Sequence, residues 1–257
     1  MNPWRATRTR IGLLLLGLLL GGTAQCGTEP VQAFSSTTGT QPPTPWHVHG
    51  FPGGKNKPVS QFDLVMLDGE RVLRVIADKS YGTLQHDLPG TRIGSTTTLR
   101  WRWRLDQPLR NADLRRRDGD DSPLKVCALF DLELGKLGLI DRGFLLAARR
   151  ISGRYIAAAT LCYVWDHHLP AGTELPNAFT SRVRFVVLNS GDSQLGTWIP
   201  HERDLVADFL RVFADDADSV PPLVGLLVGA DADNTSGTSL AYVGDLTLTV
   251  VPPKPQK

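Results

Sequence analysis

The chain has 257 residues, of which 41% are hydrophobic and 21% are charged. This composition supplies enough apolar surface for a folded core and excludes an intrinsically disordered chain. The length fits one large all-β domain or two small ones. The formal net charge is +2, but the first 26 residues hold three arginines and no acids, which leaves 25 basic and 26 acidic residues. No basic field remains to attract nucleic acid, so the sequence predicts no nucleic-acid partner.

The N-terminal 26 residues have the composition of an export signal. Arginines within residues 5–10 precede an uninterrupted apolar run at 11–20, and small residues follow. This three-part order is typical of a secretory signal peptide, and the run is shorter than the roughly 20 residues that span a bilayer. The sequence therefore predicts export to the periplasm. Cys26 stands where a bacterial lipoprotein carries its lipidated cysteine, whereas cleavage after Ala33 would release a soluble chain. Membrane contact is expected only through this segment or a lipid at Cys26.

The remaining chain divides into three predicted regions. Residues 27–45 are rich in Thr, Ser, Gly and Pro and predict a flexible linker. Residues 46–251 form the predicted folded domain, and residues 252–257 are a short C-terminal tail.

The first predicted elements of the domain are strands. Phe62–Leu67 and Arg71–Ala77 flank an Asp-Gly pair, which is a strong hairpin signal. Thr96–Leu105 alternates, with two tryptophans and two leucines on one face and three arginines on the other. We expect the tryptophans in the core, because large aromatic side chains dominate such cores. The arginines predict a solvated face, with a groove for an anionic ligand as the alternative.

The later elements complete an all-β pattern. Apolar residues at helical spacing predict two short helices, at Gly138–Arg150 and His201–Phe213. The absence of a strand–helix–strand rhythm favours a jelly-roll type β-sandwich with one or two short helices. The other predicted strands are Tyr81–Leu88, Leu124–Leu132, Ala157–Trp165, Val183–Asn189, Leu223–Val228 and Leu240–Val250.

Three groups of residues carry a family resemblance. They are 99–105 with 118–121; 161–165 with Gly172 and Asn177; and 189–191 with Trp198, Arg203, Asp208 and 231–235. In order and spacing, over most of residues 46 to 251, the chain resembles exported bacterial proteins known as domain of unknown function 3047. The resemblance implies a periplasmic setting and a galactose-binding-like jelly roll, and it implies no activity. The chain departs from the family pattern at Ala232, where a Thr is usual.

Two acidic loops are the candidate sites. The loop that begins at Asp231 holds oxygen ligands of the kind calcium prefers, and Asp231, Asp233 and Asn234 are its candidate metal ligands. The alternative is a turn whose Asp and Asn side chains hydrogen-bond to their own backbone. In the turn at 118–121, Asp120 and Asp121 are candidate ligand-binding residues, with a solvated, locally ion-paired loop as the alternative.

Carboxylates from two loops would also suit a glycan hydrolase or lyase. Catalysis requires an acid or base whose pKa is tuned by burial or by a neighbouring charge. Because both loops contain glycine and many polar residues, we expect solvent to keep their carboxyl pKa values ordinary. The sequence therefore favours binding over catalysis.

The predicted function is a periplasmic module that binds a carbohydrate or another small molecule, with calcium in a structural role. Trp165, Trp198 and Tyr242 are the candidate aromatic contacts, and Arg203 is a candidate polar contact. The alternatives are the glycan hydrolase or lyase and a structural envelope protein.

Two cysteines remain after the leader. Cys127 and Cys162 each lie in a predicted buried strand. Export would place them in an oxidising compartment, which predicts a disulfide between them. Two buried free thiols are the alternative.

Overall fold

A computed structural model describes residues 1, 27–29, 31–52, 57–91, 93–94, 96–153 and 155–251. The predicted leader, Cys26 and the predicted tail at 252–257 lie outside these residues. Within the described part of the chain, no helix combines the length and the hydropathy needed to cross a bilayer.

The described residues form a β-rich domain with two α-helices. The helices are α1 (Leu139–Ser152) and α2 (Leu205–Val212). The strands are β1 (Gly27–Glu29), β2 (His47–His49), β3 (Gln61–Leu67), β4 (Glu70–Asp78), β5 (Tyr81–Thr91), β6 (Thr96–Gln107), β7 (Ser122–Phe130), β8 (Ala159–Asp166), β9 (Glu174–Pro176), β10 (Val183–Ser190), β11 (Ile199–Asp204), β12 (Leu223–Asp231), β13 (Thr238–Val243) and β14 (Thr247–Val251).

The strands make two seven-stranded sheets. The first sheet has the order β1-β14-β6-β13-β4-β3, with β11 also paired to β6, and the second has the order β2-β5-β12-β7-β8-β10-β9. All pairs are antiparallel except β8 with β10, which is parallel. The predicted jelly-roll type sandwich with short helices is confirmed.

Strand β6 shows how the sequence places the core. Its burial alternates along its length, so that Trp101 and Trp103 are 4% and 0% exposed while Arg100, Arg102 and Arg104 point outward. The prediction that the tryptophans are core residues is confirmed. The outer face of the first sheet is consequently lined by arginines.

The predicted hairpin is also confirmed. Strands β3 and β4 are antiparallel, and their pairing begins with Leu67 opposite Glu70. The turn between them is Asp68-Gly69. Both turn residues have positive φ, 53° and 83°. Asp and Gly adopt this conformation more easily than other residues, which is why the local sequence suffices to define the turn.

The predicted helix at His201–Phe213 is partly wrong. Residues up to Asp204 extend as β11 and pair with β6, His201 lying opposite Trp101. The helix begins at Leu205, where the Asp204 carboxylate accepts hydrogen bonds from the backbone N–H groups of Val206 (2.9 Å) and Ala207 (3.3 Å). Asp204 is therefore the N-cap, and pairing with a distant strand overrides the helical pattern before it.

The predicted flexible linker at 27–45 is also corrected. Strand β1 pairs with β14, and Phe34 is fully buried in the core. The backbone N–H and the hydroxyl of Ser35 donate to the Asp245 carboxylate at 3.0 and 2.5 Å. Burial of the Phe34 ring contributes about 1.5–3 kcal/mol to docking this segment, in addition to the strand pairing and the Ser35 hydrogen bonds.

The outer face of the second sheet carries a smaller apolar cluster. Cys127 and Cys162 lie opposite each other on β7 and β8, with Cα atoms 4.0 Å apart, and their sulfurs are joined in a disulfide bond. Both cysteines belong to this cluster, with Leu129, Val164 and Leu227 among its other members. Strand β7 is thus buried on both faces.

Candidate functional site

The two acidic loops meet at one end of the sandwich. The Asp121 carboxylate accepts hydrogen bonds from the backbone N–H of Asn234 (3.1 Å) and from the N–H and hydroxyl of Thr235 (both 2.6 Å). In return, the side-chain amide of Asn234 donates to the backbone carbonyl of Asp120 at 3.0 Å. We call this end, formed by residues 118–121 and 231–238, the acidic end. Asp121 is 1% exposed and holds the second loop in place.

A buried ion pair lies beside this contact. The Asp231 carboxylate accepts from Lys125 Nζ at 2.7 Å and from the backbone N–H of Ser122 at 2.8 Å. Gly229 makes room for the lysine, since a Cβ there would lie 2.9 Å from Lys125 Cε. Burial is the largest single influence and lowers the pKa of Lys125, but Asp231, Tyr81 and Asp120 together raise that pKa above its ordinary value.

Asp120 is the unusual group of the acidic end. It is 9% exposed, and its Oδ2 accepts from the side-chain amide of Asn177 at 2.6 Å. Its Oδ1 is buried and has no hydrogen-bond partner among the described residues. The pKa of Asp120 is raised to about 6, chiefly by burial and secondly by repulsion from the Asp231 carboxylate. The positive charge of Lys125 lowers this pKa but does not cancel the rise. The expectation of an ordinary, solvated carboxyl at this position is therefore wrong.

The predicted calcium ligands have separate partners. Asp231 pairs with Lys125, Asp233 pairs with Lys57, and the amide of Asn234 donates to Asp120. Among the described residues, no group of three or more His, Cys, Asp or Glu side chains is arranged to hold a metal ion. These residues do not fit calcium, because the ammonium of Lys125 already supplies the positive charge beside Asp231.

A second candidate site lies on the outer face of the first sheet. A cavity of about 970 Å³ opens between the segment 35–38, the β3–β4 hairpin, β6 and β11. Its cationic lining residues are Arg71, Arg100 and Arg102, and its anionic lining residues are Glu70, Glu202 and Asp245. We call this space the arginine cavity.

Four of the six charged residues that line the arginine cavity form two ion pairs. Arg100 makes a two-pronged contact with Glu202, at 3.0 and 2.9 Å, across the β6–β11 pair. Arg102 forms an ion pair with Glu70 from the hairpin. Planar guanidinium–carboxylate pairs of this kind have fixed geometry, so they present hydrogen-bonding atoms in set positions.

Two of the three candidate aromatic residues lie on this face. The guanidinium of Arg102 stacks 4.6 Å from the ring of Trp198, whose Nε1 donates to Asp68 at 2.9 Å. Arg104 lies 6.0 Å from the ring of Tyr242 on the neighbouring strand. Both rings are half-buried. The arginine face and these two rings therefore form one surface.

Trp165 and Arg203 lie elsewhere. Trp165 is 1% exposed and packs in the core, so the prediction that it contacts a ligand is wrong. Arg203 makes a two-pronged contact with Asp208 of α2, at 2.8 and 2.6 Å, which also accepts from the hydroxyl of Tyr163 at 2.7 Å. Arg203 thus braces α2 and does not join Asp120 and Asp121.

Sequence reasoning missed one buried and one half-buried polar group. One is Lys125, which the apolar pattern of its strand concealed. The other is His201. Its Nε2 lies 3.0 Å from Asn189 Oδ1, which also accepts a hydrogen bond from Trp103 Nε1 at 2.9 Å. Burial lowers the pKa of His201 to about 4. This ring is neutral at physiological pH, and it packs between Trp101 and Trp103.

The fold and its two polar regions define a β-sandwich protein of jelly-roll type. A family model described as Protein of unknown function (DUF3047) matches residues 44–247, and the chain belongs to this family. No curated protein matches the sequence.

Solved structures share only the general architecture. A Stig cyclase from Fischerella sp. TAU has 11% identity and a TM-score of 0.43, over 90% of this chain and 100% of that one. The endoglucanase 3 of Trichoderma harzianum, from family GH12, has 14% identity and a TM-score of 0.36, over 89% and 96%. The xyloglucanase domain of NopAA from Sinorhizobium fredii, in complex with cellobiose, has 9% identity and a TM-score of 0.36, over 80% and 96%. At these scores the likeness concerns the sandwich and not the sites.

Proposed function

We propose that the protein is an exported β-sandwich module that binds a neutral, hydroxyl-rich ligand, a glycan, in the arginine cavity. The observation that carries this proposal is the cavity of about 970 Å³ with equal numbers of cationic and anionic side chains in its lining. Its volume falls in the range of ligand pockets, roughly 300–1,000 Å³.

The balance of charges favours a neutral ligand over an anionic one. A sugar hydroxyl is both a donor and an acceptor of hydrogen bonds. The Arg100–Glu202 and Arg102–Glu70 pairs offer donors and acceptors side by side. An anionic ligand would gain from the arginines and lose to the carboxylates. The ring of Trp198 stacks against Arg102, which lines the cavity, and adds an apolar surface for the face of a sugar.

Two features support export. The predicted leader at the N-terminus is the first, and the disulfide between Cys127 and Cys162 is the second. Structural disulfides persist in oxidising compartments such as the periplasm and are rare in the cytosol.

The geometry supports catalysis less well. Glycoside hydrolysis uses two carboxyl groups that both reach the scissile bond. Asp120 has the raised pKa of a general acid, but its neighbours are engaged. Asp121 binds the 234–235 backbone, and Asp231 binds Lys125. The two other carboxylates of the acidic end, Asp118 and Asp233, are in ion pairs with Arg116 and Lys57.

Calorimetry against a panel of neutral and anionic oligosaccharides tests the proposal. We expect binding to neutral members, with at least about a tenfold loss of affinity for Arg100→Ala and for Trp198→Ala, since buried Arg and Trp contacts dominate binding energies. Arg110→Ala is the matched control, because Arg110 pairs with Asp192 outside the cavity. The same panel is assayed for release of reducing sugar.

Absence of binding to every neutral oligosaccharide would refute the proposal. Equal affinity of the Arg100 and Arg110 variants would move the ligand to another surface. Sustained sugar release that Asp120→Asn abolishes would establish the hydrolase instead.

A further inference from the structure

Helix α1 turns its apolar side toward solvent. Of its 14 residues, all of which the structure describes, Leu145 is the one that is fully buried. Its large exposed apolar residues are Leu139 (87%), Ile140 (75%), Phe144 (69%), Leu146 (45%) and Ile151 (70%). A surface helix of a globular protein ordinarily has the opposite arrangement, with the apolar stripe facing the core.

The polar side of α1 fixes the helix in this orientation. Arg149 donates to the backbone carbonyl of Ile156 at 2.9 and 2.7 Å, and Asp141 accepts from the hydroxyl of Ser181 at 2.8 Å. At 100° per residue, Ile140, Phe144 and Ile151 lie on one stripe, nearly opposite Arg149. Exposed apolar surface concentrated in this way marks an interaction surface.

The chemistry around the stripe matches a lipid surface. Arg150 lies on α1 on the solvent side, about 100° around the helix axis from the stripe, and Asp141 is the one acidic residue of the helix. Tyr155 and Phe179 add exposed rings near arginines, with Arg149 stacked 4.4 Å from the Tyr155 ring. Helices with an apolar stripe and flanking basic residues lie in the boundary between lipid headgroups and acyl chains, where aromatic rings are also favoured.

The position of α1 in the fold agrees with this chemistry. The helix lies in the connection from β7 to β8. At this end of the second sheet, the last residue of β7, Phe130, pairs with the first residue of β12, Leu223, which also pairs with the last residue of β5, Thr91. Strand β6 of the first sheet begins at Thr96, five residues after Thr91, and lies beside β14, whose end pairs with Gly27. The 26 residues that carry the predicted leader therefore join the sandwich at the end where α1 lies.

We propose that the exposed face of α1 binds the surface of an anionic lipid bilayer. The apolar stripe enters the acyl boundary, and Arg150 contacts lipid phosphates. The membrane is the one that the predicted leader, or a lipid on Cys26, holds next to this end of the domain. The interaction is independent of glycan binding in the arginine cavity, which lies on the outer face of the first sheet.

Site-specific photo-crosslinking tests this proposal in the full chain. Benzoylphenylalanine replaces Phe144 in one sample and Phe51 in the other, and each is mixed with vesicles of phosphatidylethanolamine and phosphatidylglycerol. Phe51 is a matched control because it is an exposed aromatic residue, 43%, in contact with Tyr81 at the acidic end. The leader is the same in both samples, so a difference between them reports on α1. We expect lipid adducts several-fold more abundant at position 144.

Other products overturn the proposal. An adduct with a second chain would identify α1 as a contact between copies of the protein. An adduct with residues 1–26 would show that the chain's own N-terminal segment covers the helix. Equal lipid adducts at both positions, or none, would remove the membrane contact.

Charge is tested in the same assay. Arg150→Gln should lower the yield at position 144 on phosphatidylglycerol vesicles toward the yield on phosphatidylcholine vesicles. An unchanged yield would refute the role of Arg150.

Discussion

Replacement of Asp120 by asparagine should stabilise the protein at neutral pH. The folded protein buries this carboxyl, leaves its Oδ1 without a partner among the described residues and raises its pKa from 3.8 to about 6. An asparagine at this position would keep the acceptor for Asn177 and would have no charge to bury. The substitution therefore mimics the protonated form that the folded state prefers.

The pKa shift sets the magnitude and the pH range. A raised pKa means that the folded state binds this proton more tightly than the unfolded state, so stability falls as pH rises from near 4 through about 6. At about 1.4 kcal/mol per pKa unit, the penalty at neutral pH is at most about 3 kcal/mol. We expect Asp120→Asn to gain about 1–3 kcal/mol at neutral pH and little at about pH 4, where the wild-type carboxyl is protonated.

Urea unfolding, followed by tryptophan fluorescence at both pH values, measures this difference. Asp118→Asn is the control, because Asp118 lies in the same turn, is exposed and pairs with Arg116. Its pKa is lowered by that partner, so its replacement should bring no gain. If Asp120→Asn is no more stable than wild type at neutral pH, the account of a buried, poorly satisfied carboxylate is refuted.

Three further predictions concern the same structure. Lys125→Met should lower the free energy of unfolding, measured in urea, by about 3–5 kcal/mol, because it leaves the charge of Asp231 buried without a partner. Adding Asp231→Asn should recover most of the loss, and no recovery would contradict the ion-pair account. Cys127→Ser with Cys162→Ser should lower the unfolding free energy by about 2–4 kcal/mol, and in the unfolded wild-type chain both thiols should react with a labelling reagent only after reduction. A calcium chelator should leave the melting temperature unchanged, since Lys125 occupies the partner position beside Asp231; a drop on chelation would restore the predicted calcium site.

The sequence alone determined the local elements. Asp68-Gly69 predicted its hairpin because few residues accept two successive positive φ angles. The alternation of β6 predicted which side chains face the core, because the period of a strand fixes the side of each residue. The order of polar and aromatic motifs indicated the family. These signals are carried by neighbouring residues, so no long-range information was needed.

The tertiary structure decided which segments pack against each side of a strand or helix. Phe34 is buried in the core against Trp46, and no pattern in its polar surroundings predicts this. The pKa of Asp120 depends on burial and on Asp231, which is 111 residues away in sequence. The helical pattern at Gly138–Arg150 predicted α1 but not that its apolar stripe faces outward. Periodicity defines the two sides of an element, whereas burial and electrostatics depend on which distant segments pack against each side.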